Sequence, residues 1–418
     1  MLDDQGRLSP DASSEEGFEL REFLGLSPNL WRVALVMGVA QFSIGLWKWQ
    51  FGIFLETIIE PWQMGLVFSG ATFAGLIAAF VSGTIADLIG RKRTMAFGLV
   101  PVFLGLLTMS FLPSWPLLLL QYGLVWYGIG TTRIMSGAIP ADEIAQDGRN
   151  PARRFMMIMV PHWIVDGVSP LLGAFLMSTG YTPTDLHRIA SGAAVIACIA
   201  TLVVIKETLG SDIIQKARAG PIISFRQMGR DFWKMAIGMG GFYFCWAMAV
   251  QYLGNLSVDE WLVDTPFYGI TWGAFGLASA ILMYSASSLT DRNLKAALLV
   301  AVCGNGFVFI TFGLGTGATL LLVLNIIWAI PFIIWLGAEK SLLLANVPEE
   351  AKGRALGTYS FIMSSLAIFA AMFGAILWEI SGTLRFVYIV AGVGMICTSF
   401  VLVPVLRSVK VKSHNRKD

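Results

Sequence analysis

The chain has 418 residues, of which 56% are hydrophobic and 13% charged. A soluble domain carries about 25% charge, so these values exclude water as the solvent of most side chains. The formal net charge of +2 says little, because the position of charge matters more than its sum, and no nucleic-acid partner is expected.

Residues 1–29 are polar and acidic, with Asp3, Asp4, Glu15, Glu16, Glu19 and Glu22. They lack the basic start and apolar core of a cleavable signal and read as a cytosolic tail, with a short surface helix over 18–26. About 20 apolar residues are needed to cross a bilayer core. By that rule the sequence predicts twelve spans: 31–58, 62–86, 94–113, 115–139, 155–179, 188–206, 233–255, 267–289, 296–314, 318–343, 355–380 and 384–406. The expected fold class is all-α and membrane-embedded.

Lys and Arg set the orientation. With the N-terminus inside, the inner loops hold Arg91, Lys92, Arg93, Arg149, Arg153, Arg154, Arg226, Arg230, Arg292, Lys295, Lys352 and Arg354, and the outer loops only Arg188 and Arg385. Both termini are therefore expected in the cytoplasm of a cell that carries the protein in its inner or plasma membrane. A basic linker, 207–231, separates a first set of six spans (30–206) from a second (232–406), and a basic tail, 407–418, closes the chain. Two landmarks repeat. Pro151 and Arg154 follow the fourth span as Pro348 and Arg354 follow the tenth, and Asp291–Arg292 is a weak copy of a motif around Asp87.

That motif, GTIADLIGRKR, interrupts two apolar runs with a burst of charge. Gly83, Asp87, Gly90, Arg91, Lys92 and Arg93 occupy the pattern G-x-x-x-D-x-x-G-R-[RK]-[RK]. The pattern resembles the signature loop between helices 2 and 3 of the major facilitator superfamily. The resemblance covers about 30–406. It implies two pseudo-symmetric six-helix bundles with a solute site between them. It also implies a cytoplasmic latch of Asp87 and Arg91 with Asp142 or Glu143, where Asp87 faces the start of helix 11, and a counterpart of Glu339 with Arg354.

Ionisable groups inside spans are costly and mark function. Arg133, in YGIGTTRIMSG, resembles the helix-4 arginine of proton-coupled facilitators and is expected about six residues from the inner end of its helix. Asp166 lies near the midplane of the fifth span, with His162 one turn away on the same face. We expect Arg133 and Asp166 to pair beside His162 and to release on protonation; a static structural pair is the alternative. Lys48, between Trp47 and Trp49, is either a cavity cation for an anionic solute or an outer-interface anchor. Gln251, Asn255, Asn305 and Asn325, with Trp246, Trp272, Trp328 and Trp335, either contact solute or pack helices. Gly167–Ala174 resembles a worn helix-5 antiporter motif that retains Pro170 and Gly173, and KETLG at 206–210 matches a sugar-carrier signature in part.

No phosphate-binding loop is present, so ATP drive is not expected. Three scattered histidines (His162, His187, His414) and four scattered cysteines form no metal or catalytic pattern. The expectation is a monomeric secondary transporter of a small solute, an organic anion or other metabolite, with protons as coupling ion, the bilayer as solvent, no cofactor and no enzymatic role. A proton-driven efflux antiporter and an uncoupled channel or sensor are the competing readings.

Overall fold

A computed structural model describes residues 26–147, 151–208, 229–290, 293–344 and 352–408. Twelve long helices account for almost all of them. They are α1 (Pro28–Lys48, continued after a break by Phe51–Glu56), α2 (Pro61–Ile89), α3 (Arg91–Phe111), α4 (Leu117–Asp147), α5 (Pro151–Ser178) and α6 (Pro183–Val204). The second half supplies α7 (Arg230–Ala249, prolonged by tight and wide turns to Glu260), α8 (Thr265–Thr290), α9 (Leu294–Leu314), α10 (Ala318–Leu344), α11 (Lys352–Ser381) and α12 (Leu384–Ser408). Eleven are long and apolar enough to cross a membrane. The remaining one, α4, is long enough but carries Gln121, Thr131, Thr132, Arg133 and Ser136.

Local chemistry sets the ends. Pro28, Pro61 and Pro183 open helices where an N–H would be unpaired anyway. Ser27 caps α1 by accepting from the Leu30 N–H, and Thr182 and Asp185 form a capping box on α6. Gly90, at φ 93°, makes the one-residue turn between α2 and α3, a backbone state other residues rarely adopt. The prolines inside α3, α4, α5, α10 and α12 do not end those helices.

The two halves repeat one packing scheme. In the first bundle α3 packs on α4 and α6, α2 on α4, and α1 on α5 and α6. In the second, α9 packs on α10 and α12, α8 on α10, and α7 on α11 and α12. The repeat extends to single residues. Arg188, at the start of α6, donates to the Ser110 carbonyl at the end of α3. Arg385, at the start of α12, donates to the Gly315 carbonyl just after α9. Helices α1 and α7 are both interrupted, at 49–50 and at 250–252. The start of α1 meets the end of α6 through Asn29 and Lys206, and the end of α12 meets the start of α7 through Ser408 and Lys234; the face where α1 begins and α12 ends is called here the tail face.

The bundles meet along α2 with α11 and α5 with α8. Small residues bring the backbones together. A Cβ on Gly65 would lie 2.6 Å from the Ala375 side chain, and one on Gly276 would lie 2.7 Å from the Gly167 Cα. Towards the face opposite the tails, Ser69 Oγ donates to the Ile368 carbonyl at 2.6 Å, and Asn255 Nδ2 donates to the Gly52 carbonyl at 3.0 Å and to Glu56. The two halves are thus hydrogen bonded at that face.

Candidate functional site

Four ionisable side chains gather inside the first bundle. Asp166 (α5) lies within electrostatic range of Lys48 (α1), Arg133 (α4) and His162 (α5). Lys48 Nζ also sits 5.5 Å from the centroid of the Trp126 ring on α4, a cation–π contact. Lys48 and Arg133 are exposed, and Asp166 and His162 half-buried, so solvent reaches a polar cleft between α1, α4 and α5. This placement puts Lys48 with the cleft rather than with an outer aromatic belt.

The depth of Arg133 differs from expectation. Helix α4 does not end at 139; it runs through Pro140 to Asp147. Arg133 therefore stands fourteen residues from the nearer end of its helix, or ~21 Å, rather than six. Asp166 is twelve residues from the far end of α5 and fifteen from its start. Both are mid-helix groups.

Register explains the meeting. Gly38 and Gly45 of α1 face α5, where a Cβ on Gly38 would lie 3.6 Å from Val165 and 3.8 Å from Pro161, and one on Gly45 would run into Ser169. The two backbones are close. Between these glycines Gln41, 9% exposed, donates its amide N–H to Asp166 Oδ1. Gln41 was not singled out by the sequence, although it lies at i−7 from Lys48, on the same helical face.

The other solute candidates sit elsewhere. Trp47 is 1% exposed and packs edge-on against Phe51, Tyr122 and His187. Asn255 is buried as a bond between the bundles. Asn325 is buried with its amide on the Leu321 carbonyl, and Trp328 donates to Asn305 within an aromatic core of Phe275, Phe309, Phe312 and Phe332. Gln251 is half-buried at the break in α7. The structure thus draws Lys48 to the cleft and leaves Trp47, Asn255, Asn325 and Trp328 in packing.

The expected latch lies partly outside the described residues. Gly83 lies within α2, and the side chains of Asp87, Asp142 and Arg354 are outside the described residues, as is the Asp291–Arg292 copy. Arg91 Nη1 donates to the Ala138 carbonyl at 2.6 Å; Arg93 is exposed. The Arg91 and Lys92 backbone N–H groups donate to the Glu207 carboxylate at 3.0 and 3.2 Å, an anion at the N-terminus of α3. Glu207 belongs to the KETLG stretch and was not predicted in this role. Glu143 accepts from Ser27 and from Asn29 Nδ2, at 2.7 Å for the latter, so it ties α4 to the start of α1 rather than joining Arg91. Glu339 is 1% exposed and accepts from Tyr243 at 2.9 Å and from Tyr359, inside the second bundle.

Comparison with known proteins agrees with this architecture. The model of the Major Facilitator Superfamily matches residues 30–372. A stretch of 106 residues is 30% identical to the D-xylose-proton symporter-like 2 of Arabidopsis thaliana, spanning 25% of this chain and 20% of that relative. Among solved structures, the nucleoside transporter NupG superposes with a TM-score of 0.71 at 14% identity, over 90% of this chain and 99% of that one. The human organic anion transporter MFSD10 gives 0.66 at 15% identity, over 90% and 99%. The xylose transporter XylE from E. coli, in a partially occluded inward open conformation, gives 0.67 at 12% identity, over 92% and 99%. At these identities the structures establish the fold alone.

Proposed function

The chain belongs to the Major Facilitator Superfamily, and from that premise we propose that this transporter moves a small organic anion by alternating access with protons as the coupling ion. One observation carries the reading: Lys48, Arg133 and His162, from three helices, converge on Asp166 at mid-span where solvent reaches them. Two basic side chains against one carboxylate favour an anionic solute. Burying such charges unpaired would cost several kcal/mol, so neutralising Asp166 by a proton leaves Lys48 and Arg133 in need of another anion. Solute and proton then occupy the cleft together, which is the logic of coupling. His, whose unperturbed pKa lies near neutrality, offers a second proton carrier in the same cluster.

The basic tail face is assigned to the cytoplasm. The bonded face, with Asn255 on Gly52 and Glu56, then closes the outside, and the solute path opens inward. The names of the relatives, which include a sugar-proton symporter-like protein and an organic anion transporter, are compatible with this reading. The close contact of Gly173 with the α1 backbone retains part of the helix-5 antiporter pattern. It supports proton-for-solute exchange as the second reading.

A thermal-shift screen of carboxylates, sugars and nucleosides on the purified protein selects a solute. Uptake of that solute into proteoliposomes under an imposed pH gradient then tests the proposal. Wild-type accumulation should collapse in Asp166→Asn. Full gradient-driven accumulation in that variant ends the proton-coupling proposal.

A further inference from the structure

Resting on the coupling role of Asp166, we infer that Gln41 is the positioning residue that decides which oxygen of Asp166 takes the proton and how readily. The two side chains are brought together by the approach of α1 to α5 at Gly38 and Gly45. Gln41 presents an N–H to Oδ1. That oxygen already accepts one hydrogen bond, which makes Oδ2 the better placed of the two to receive a proton from the cleft.

The charged groups around Asp166 come from three helices. Lys48 belongs to α1, Arg133 to α4 and His162 to α5 itself. Helix α8, which packs on α5, carries no Asp, Glu, Lys, Arg or His at 265–290. Gln41 is thus an uncharged donor among cations. It holds the carboxylate whichever cation leaves, and this distinguishes it from them. When a solute anion draws Lys48 away, Asp166 loses one counter-charge but keeps its amide partner. It therefore stays oriented towards the cleft instead of turning onto the α1 backbone. A hydrogen bond to the charged form of an acid favours that form, and bonds to charged groups contribute about 1.5–3 kcal/mol. Losing the donor should move the protonation midpoint of Asp166 upward by about 1–2 pH units.

The test needs no solute. Infrared spectra of the purified full-length protein in lipid vesicles are recorded as pH is stepped. The carboxyl C=O band of Asp166 is identified as the titrating band that Asp166→Asn removes. In Gln41→Leu that band should titrate at a pH higher by at least one unit, and its frequency should rise as the hydrogen bond is lost. Gln41→Glu keeps the side-chain shape and guards against a folding failure of the leucine variant. It should move the Asp166 midpoint at least as far and add a second titrating band. An unmoved Asp166 midpoint in both folded variants overturns the role of Gln41 and leaves the coupling reading standing. If Asp166→Asn removes no titrating band, the coupling reading fails and this one with it.

Discussion

The two bundles share a packing scheme but use their polar groups in opposite ways. In the first, Lys48, Arg133, His162 and Asp166 stand mid-helix where solvent enters, and only Gln41 fixes the acid from outside the charged set. In the second, the deepest acid, Glu339, is sealed at 1% exposure between Tyr243 and Tyr359. Around it and the neighbouring tryptophans runs a continuous aromatic core: Phe242, Trp335, Phe332 and Trp328 follow one another in edge contacts. An exposed charge cluster can exchange partners at small cost. A buried acid whose donors have no alternative cannot, because each freed group would be left unsatisfied. One scaffold therefore carries a bundle whose charges can exchange partners and a bundle whose deepest acid is held by two phenols.

That contrast can be broken most sharply by two substitutions. Asp166→Asn should reduce gradient-driven accumulation in proteoliposomes to the level of protein-free vesicles, with little change in melting temperature. Glu339→Ala should do the reverse in kind. It strands two buried hydroxyls, which at 1–3 kcal/mol each predicts a loss of about 2–5 kcal/mol, seen as a lower thermal midpoint of the detergent-solubilised protein. A functional loss for Glu339→Gln at unchanged stability would show that the second bundle is not passive.

A middle-sized effect is expected at the contact between the bundles. Asn255→Ala removes the bonds to Gly52 and Glu56. At about 1–1.5 kcal/mol this should raise the population open at that face roughly tenfold. Alkylation of Ile53→Cys, in a background without Cys198, Cys245, Cys303 and Cys397, reads the change as a faster rate. The smallest effect belongs to the repeated arginines. Arg188→Ala should cost under ~1 kcal/mol, because its pair with Asp185 is largely exposed. Arg385→Ala should cost more, because it is less exposed and serves Gly315 and both the carboxylate and carbonyl of Glu260. Equal losses would show that the two halves are energetically as well as topologically repeated.

Reading the sequence located each long helix, with ends that differ by up to eight residues, since a bilayer forces long apolar runs on any chain that crosses it. It placed Arg133, His162 and Asp166 on the correct helices. It ended the fourth span at 139, whereas α4 runs on through Pro140 to Asp147, because a proline does not stop a helix whose neighbours support it. It left Trp47, Asn255, Asn325 and Trp328 between solute contact and helix packing because residue type alone cannot separate a lining side chain from a packed one. Gln41, Tyr243 and Tyr359 went unnoticed for the converse reason: a neutral amide or phenol becomes significant only through what stands opposite.

The sequence by itself determined that this protein lives in a bilayer, how often it crosses, and that its halves repeat. Those properties depend on solvation and on patterns local to each span. Only the tertiary structure decided which polar groups meet. Partners such as Gln41 and Asp166 are 125 residues apart in the chain, and their contact depends on how closely two glycine-bearing backbones approach, a distance no local pattern encodes.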